Sequence, residues 1–289
     1  MVVSETEPLY LHFGQYAVCI YCTDTEARAY VHRHFRHCAG ARSSVVAVYR
    51  LDVDADRLVS VQRDAEQAYF GSLSPYLIEW LMQDLTRVLT TPCTEDLIVH
   101  AAGLAWGMAG IVLCGASGSG KSTLAAWLVS SGFDFLSDEL TGLAPDVSQM
   151  TGFPRPIGLK AGSAFVWETR VPATAQPGLL RISDQLTMLD PDLLRAGCVR
   201  AATQPAYLLF PRYQPDAPFC AERLSPAAAL FRLLQRVLNA KNLPAHGSQV
   251  AGRVVRQLPA YEVTYSDLSE VQAWLAVLLE THSPLSDGV

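Results

Sequence analysis

The sequence predicts an α/β protein in two parts: a larger mixed-sheet domain around a glycine-rich strand–loop–helix turn, and a smaller α+β domain before it. Three observations carry this expectation. Gly110-Ile-Val-Leu-Cys114 reads as a buried strand, Gly115-Ala-Ser-Gly-Ser-Gly120 as a glycine-rich turn, and the residues after Lys121 as a helix. A further strand, Phe133-Asp-Phe-Leu136, leads into two adjacent acids, Asp138-Glu139. Ahead of both, β-branched and aromatic runs and one amphipathic helix fill residues 1–92.

Taken in order, Tyr10 to Phe13, Tyr16 to Tyr21 and Ser44 to Leu51 read as strands, with a polar helix over Thr23 to Cys38. Ser74-Pro75 reads as an N-cap followed by proline at the first helical position. Leu77, Ile78, Leu81, Leu85, Val88 and Leu89 then recur at helical spacing as far as Thr90-Thr91-Pro92. A boundary near residue 92 therefore separates a 1–92 α+β domain from a 93–289 domain. The second domain opens with strands from Leu97 and from Gly110, joined by a turn around Gly107, and its first helix runs from Ser122 to Ser131 before Gly132. Tyr207 to Phe210 reads as a strand, Ser225-Pro226 opens a helix to Leu238, and a last helix covers Asp267 to Glu280 ahead of the polar tail His282 to Val289.

Composition narrows the function classes. With 289 residues, half of them hydrophobic, the chain can bury one large or two modest cores. A net charge of -6 is the opposite of the basic excess that polyanion binders carry, so no nucleic-acid partner is expected. The apolar stretches are about ten residues long, short of a membrane span. The first residues show no basic run ahead of an apolar core, so a cytoplasmic protein without a secretory signal is expected. Seven cysteines, an odd number, are expected as free thiols.

The chemistry-bearing pattern is Gly115-Ala-Ser-Gly-Ser-Gly-Lys-Ser122, which fits G-x-x-x-x-G-K-[ST] throughout and sits between a strand and a helix. Glycines let backbone N–H groups turn toward phosphate oxygens, and the helix N-terminus adds partial positive charge. Gly115, Ala116, Ser117, Gly118, Ser119, Gly120, Lys121, Ser122 and Thr123 are thus the expected residues for a nucleoside triphosphate with Mg2+; ATP is the expected donor, although the loop itself reads only phosphates and metal and leaves adenine or guanine open. Lys121 is expected on the β- and γ-phosphates and the Ser122 hydroxyl on magnesium. Asp138 and Glu139 emerge where the next strand ends, placed to divide metal binding from proton acceptance. Arg155 and Lys160, on a proline-fixed loop, are expected to neutralise the transferring phosphate or to anchor an acidic acceptor. Arg212, also beside a proline, is a weaker candidate of the same kind.

The ordered set His100-Ala-Ala, the glycine-rich loop, and Gly132-Phe-Asp-Phe-Leu-Ser-Asp-Glu139 resembles the catalytic domain of HPr serine kinase. It is most similar to the branch of HPr-kinase-related kinases, through Phe153-Pro-Arg-Pro-Ile-Gly-Leu-Lys160, Phe210-Pro-Arg-Tyr213 and Leu238-Asn239, and covers roughly residues 95 to 280. The resemblance implies a mixed-sheet P-loop fold of the HPr-kinase/phosphoenolpyruvate-carboxykinase type and γ-phosphoryl transfer to a serine hydroxyl. It implies that Asp138 is the general base, that Glu139 approaches the metal, and that His100 lies near the reacting phosphates. HPr kinase carries two aspartates where this chain has Asp138-Glu139, which leaves the division of roles open. No counterpart of the segment for reverse dephosphorylation is evident. The acceptor implied is a serine on a peptide or small protein, a ribosomal peptide precursor among them. HPr kinase assembles as a hexamer, so a homo-oligomer is a further expectation.

Two rival readings share the loop. A kinase of a small molecule such as free serine would use the same residues, with a closed acceptor cavity in place of an open groove. A nucleotide-binding regulatory or assembly protein would bind triphosphate without transferring it. The 1–92 domain is a candidate acceptor-recognition module through strand addition at Tyr16–Tyr21 or Val45–Leu51. Cys19-Ile-Tyr-Cys22 with His32, His34, His37 and Cys38 invites a zinc reading, but residues three apart on a strand face opposite ways. Cys114 and the Leu268, Val271, Trp274, Leu275 and Leu278 stripe read as core, and Trp106 and Met108 as a hairpin tip.

Overall fold

The computed structural model describes residues 7–280. Met1–Thr6, read above for a targeting signal, and the polar tail from His282 lie outside them. The N-terminal part begins with β1 (Leu9–Phe13), β2 (Tyr16–Cys22), α1 (Thr25–Phe35) and β3 (Ser44–Val53). The hairpin β4 (Leu58–Arg63) and β5 (Glu66–Ser72) and helix α2 (Pro75–Thr90) follow. Asp24 caps α1 by accepting the Ala27 N–H at 2.8 Å. The helix stops at Phe35 and gives way to a tighter turn at Arg36–Cys38, three residues before the expected end. Ser74 precedes α2 as expected, yet its side chain makes no capping bond; the Leu77 N–H goes to the Ser74 carbonyl at 3.0 Å instead.

The strands pair in the order β1-β2-β3-β4-β5. That order corrects the strand-addition idea. β2 pairs β1 and β3, and β3 pairs β2 and, from Tyr49 to Val53, β4, so Tyr16–Ile20 and Tyr49–Leu51 have partners on both sides, Val45–Ala47 pair on the β2 side, and the edges of the sheet are β1 and β5. The β4–β5 hairpin escapes the sequence reading because its turn residues, Asp64 and Ala65, sit at φ 50° and 71° without a glycine between them. Reciprocal bonds to β3 hold them there: the Asp64 carboxylate accepts the Val48 N–H, and the Asp64 N–H reaches the Val48 carbonyl, each at 2.9 Å. α2 buries Leu77, Ile78, Leu81, Met82, Leu85 and Leu89 against this sheet. The same core takes in Ile98, Leu140, Phe153, Ile182 and Met188, so α2 also packs on the remainder of the chain.

That remainder contains β6 (Leu97–Trp106), β7 (Ala109–Cys114), α3 (Lys121–Ser130), β8 (Asp134–Ser137), β9 (Leu140–Leu143), β10 (Met150–Gly152), β11 (Ile157–Lys160) and α4 (Ala164–Arg170). It continues through β12 (Leu180–Ser183), β13 (Leu186–Leu189), β14 (Ala202–Tyr213), β15 (Cys220–Arg223) and α5 (Pro226–Leu234) to α6 (Ser248–Gln257), β16 (Ala260–Tyr265) and α7 (Leu268–Glu280). The large sheet runs β10-β9-β6-β7-β14-β16-β15, with β8 added beside β6; a small sheet runs β11-β13-β12. β14 is parallel to both β7 and β16, while β6 is antiparallel to β7. The architecture is mixed α/β.

Alternation along β7 shows how the layers form. Ile111 and Leu113 face a core shared with α3, α4 and α7, whereas Val112 and Cys114 face one shared with α5 and α6. Leu268, Val271 and Leu275 of α7 are buried in the first core, as their spacing predicts. α5 ends at Leu234 and not at Leu238. The chain leaves the helix because Arg236 to Leu238 pairs with β6: the His100 N–H reaches the Arg236 carbonyl and the Leu238 N–H the Ile98 carbonyl, both at 2.8 Å. Trp106 and Met108 do lie exposed at the β6–β7 tip. Among the described residues no helix is long and apolar enough to cross a membrane.

Candidate active site

β7, β14 and β16 run parallel; β14 and β16 end together at Tyr213 and Tyr265, β7 ends earlier in the ladder at Cys114, and the glycine-rich loop leaves from that shorter end. Tyr213 is opposite Tyr265 in the ladder, and its N–H donates to the Ser119 carbonyl at 3.1 Å, tying the loop to the neighbouring strand. Gly120, at φ 85°, is the residue before α3, and a Cβ there would overlap the Tyr265 hydroxyl. Its carbonyl accepts the Leu124 N–H at 2.8 Å, so the helix starts at once and its first N–H groups stay directed at the loop.

Lys121, the first residue of α3, is only 7% exposed and donates its ammonium to the backbone carbonyl of Asp138. Burial pushes its pKa below the ordinary lysine value, with Asp138 and Glu139 pulling the other way. The Asp138-Glu139 turn is shaped by Ser137, whose buried hydroxyl accepts the Glu139 N–H at 3.1 Å and the Leu140 N–H at 2.9 Å. The two acids then meet different partners. Asp138, 2% exposed, accepts the Gly158 N–H on Oδ2 at 3.1 Å, while its Oδ1 is buried without a hydrogen-bond partner, 3.8 Å from Arg155 Nη2. Glu139 is bridged on both oxygens, by His100 Nε2 at 3.2 Å and by Arg155 Nη2 at 2.9 Å.

Burial alone would raise the Glu139 carboxyl, but the His100 hydrogen bond and the charges of Arg155, His100 and Lys121 hold it at about 2. The sign follows directly: the stability gained from this carboxylate is fully present above its ordinary value of 4.5 and lost as the pH falls toward 2. Discounted for partial exposure, Glu139→Gln is expected to cost about 1–2 kcal/mol at pH 7. In urea titrations the gap between the two proteins should close between pH 4.5 and 2; a gap independent of pH would contradict the ion-pair account.

Lys160, at the end of β11, reaches Ser117 Oγ at 3.1 Å, and Thr123 Oγ1 lies 2.6 Å from Ser163 Oγ. Ala116, Ser117, Gly118, Gly120, Lys121, Ser122, Thr123, Asp138, Glu139, His100, Arg155 and Lys160 line one cavity of about 1430 Å³, while Gly115 and Ser119 lie behind it in the loop. Arg212 is exposed on β14 and is not part of the lining.

Three contributions to the cavity carry no local signal in the sequence. Tyr213 and Tyr265 come from strand ends, Trp127 and Arg170 from the α3–α4 pair, and Glu79, Met82, Gln83 and Thr86 from α2. The zinc reading finds no support: among the described residues the cysteines and histidines of 19–38 are not gathered at one point. His37 instead meets Asp190 and Asp192, where Arg36 already supplies a cation.

A solved structure, the HPr(Ser) kinase/phosphatase from Coxiella burnetii, is similar at 12% identity, with a TM-score of 0.33, covering 64% of this chain and 95% of that one. No protein-family model and no curated protein matches the chain.

Proposed function

We propose that this protein is an ATP- and magnesium-dependent kinase that transfers the γ-phosphoryl group to a serine hydroxyl of a peptide or small protein. One observation carries the reading: Lys121 of the phosphate loop and Asp138, whose buried Oδ1 has no hydrogen-bond partner, line the same cavity. The ordered motifs that resemble HPr serine kinase support it. At about 1430 Å³ the cavity exceeds the roughly 300–1,000 Å³ of ordinary ligand pockets, which suits two substrates side by side.

In this reading the loop N–H groups, Lys121 and Lys160 orient the triphosphate and offset its charge. The oxygen donors here suit a hard cation: Ser122 and the ionised Glu139 would hold magnesium, which supplies charge neutralisation at the phosphates. The serine Oγ attacks the γ-phosphorus; the new O–P bond forms as the bond to the β,γ-bridging oxygen breaks, and ADP leaves with that electron pair. The hydroxyl proton passes to Asp138 Oδ1, the oxygen left without a donor. Arg155 and His100 position Glu139 through the bonds already present.

Incubating the protein with ATP, magnesium and serine peptides should add a phosphoryl group to the serine, read by mass spectrometry. Transfer to no hydroxyl acceptor, with ATP bound, would favour the nucleotide-switch alternative. Tyr265 gives a second check. Its hydroxyl is buried beside Gly120 without a partner, so a phosphate oxygen in the cavity is its natural acceptor. Tyr265→Phe is expected to weaken ATP binding about tenfold by calorimetry while leaving apo stability equal or about 1 kcal/mol higher, since an unsatisfied group is removed. Unchanged affinity would remove Tyr265 from the phosphate site.

A further inference from the structure

The cavity extends from the phosphate loop in two directions. α3 packs on β11, β11 pairs β13, β13 pairs β12 and β12 packs on α2, so α3 and α2 stand at opposite edges of the small sheet. In its ladder, Gly158, which holds Asp138, is opposite Met188, and Lys160, which reaches Ser117, is opposite Leu186. Met188 shares a core with the buried side of α2. Between Asp138 and α2 the floor of the cavity is therefore Met188 and Leu186, and the far wall is Glu79, Met82, Gln83 and Thr86. Those four α2 positions fall at the i, i+3, i+4, i+7 spacing of a single helix face.

In the other direction the cavity follows α3 toward α4. Thr123 and Trp127 line it from α3, and the Arg170 guanidinium stacks 3.7 Å over the Trp127 ring. In-line phosphoryl transfer places the attacking hydroxyl and the departing nucleotide on opposite sides of the γ-phosphate. Asp138 marks the attacking side, and the α2 wall adjoins it across β11 and β13. The α3–α4 arm is left for the nucleoside.

Charge then distinguishes acceptors. Near the reaction centre Lys121, Arg155 and Lys160 already contact Asp138, Glu139 and Ser117. On the acceptor side Glu79 is half-buried and, among the described residues, has no ion pair or hydrogen bond. A carboxylate partly withdrawn from water gains most from an opposite charge. Gln83 and Thr86 flank it with neutral hydrogen-bonding groups, and Met82, Leu186 and Met188 give an adaptable apolar floor.

We infer that the α2 face is the acceptor subsite and that Glu79 selects a serine carried beside a lysine or arginine, that is, a basic peptide segment. The inference rests on the phosphotransfer reading above. It also replaces strand addition with a helix face as the contribution of the N-terminal residues to acceptor recognition.

The test uses the full chain with ATP and magnesium and a set of serine peptides that carry Lys or Glu at single flanking positions. For the wild type, at least one position should show a KM about 5-fold lower with Lys than with Glu, the size of one partly exposed ion pair. Glu79→Gln should bring that ratio near 1, and Glu79→Lys should invert it, a reversal that general loss of structure does not produce. Anisotropy titration of the same labelled peptides, with a non-hydrolysable ATP analogue present, should show the same order of affinities. A wild-type ratio near 1 at every position, or a ratio unmoved by Glu79→Lys, overturns the subsite. If free serine is phosphorylated and no peptide is, the subsite falls while the kinase reading stands; if no hydroxyl accepts phosphate, both fall.

Discussion

Lys121→Ala should reduce phosphoryl transfer from ATP by about 10²–10³-fold, the loss typical of removing one preorganised charge from a reacting phosphate. The reason lies in the position of the side chain. Lys121 is the first residue of α3, withdrawn from water, held by the Asp138 carbonyl and part of the cavity lining, so its ammonium has little freedom to lose on binding. ATP affinity should fall as well, by about 10-fold or more, because a charge-assisted bond in a dry site contributes about 1.5–3 kcal/mol. The fold should survive: alanine removes a buried charge and leaves one carbonyl without its donor, effects that oppose each other. Steady-state transfer assays, calorimetry with ATP and a thermal melt read these three quantities separately. Transfer at the wild-type rate would remove the loop from the mechanism.

Asp138→Asn should leave ATP binding within about 3-fold of wild type and lower kcat by about 10²–10⁴-fold, the range for loss of a positioned general base. Asparagine keeps the shape, and its amide oxygen can still accept the Gly158 N–H that now reaches Oδ2 at 3.1 Å. It offers no lone pair basic enough for the serine proton. Single-turnover rates at saturating ATP and acceptor distinguish this from a binding defect. A loss confined to KM would instead make Asp138 a positioning residue.

The two acids show where local reading stops. That an acidic pair follows the strand beside the loop is plain from consecutive residues, as is the loop itself. Which acid is bridged on both oxygens and which keeps one oxygen without a hydrogen-bond partner is decided by His100 on β6, Arg155 between β10 and β11, and Gly158 on β11, all distant in sequence. Arg155 and Lys160 were legible as charges on a proline-fixed segment, but their directions were not. Arg155 turns inward on Glu139 and Lys160 across to Ser117.

Elements were missed for similar reasons. The β4–β5 turn holds left-handed backbone at Asp64 and Ala65 by bonds to β3, a tertiary cause that leaves no glycine to mark it. β9 to β13 are three or four residues each, too short for alternation to register, and gain their stability from pairing. α5 stops early because β6 offers backbone partners to Arg236–Leu238.

By itself, the amino-acid sequence determined the strand–glycine loop–helix unit, the acidic turn after β8, the α2 and α7 stripes and the α/β class. Each depends on residues adjacent in the chain or on one helical or strand period, which is all that local sterics and patterning can express. Only the tertiary structure decided that Tyr265 lies over Gly120, that Asp138 keeps a buried oxygen without a hydrogen-bond partner while Glu139 is bridged, and that α2 lines the cavity. Those facts depend on side chains brought together from remote segments by burial of shared apolar cores, and packing of that kind has no period to read along the chain.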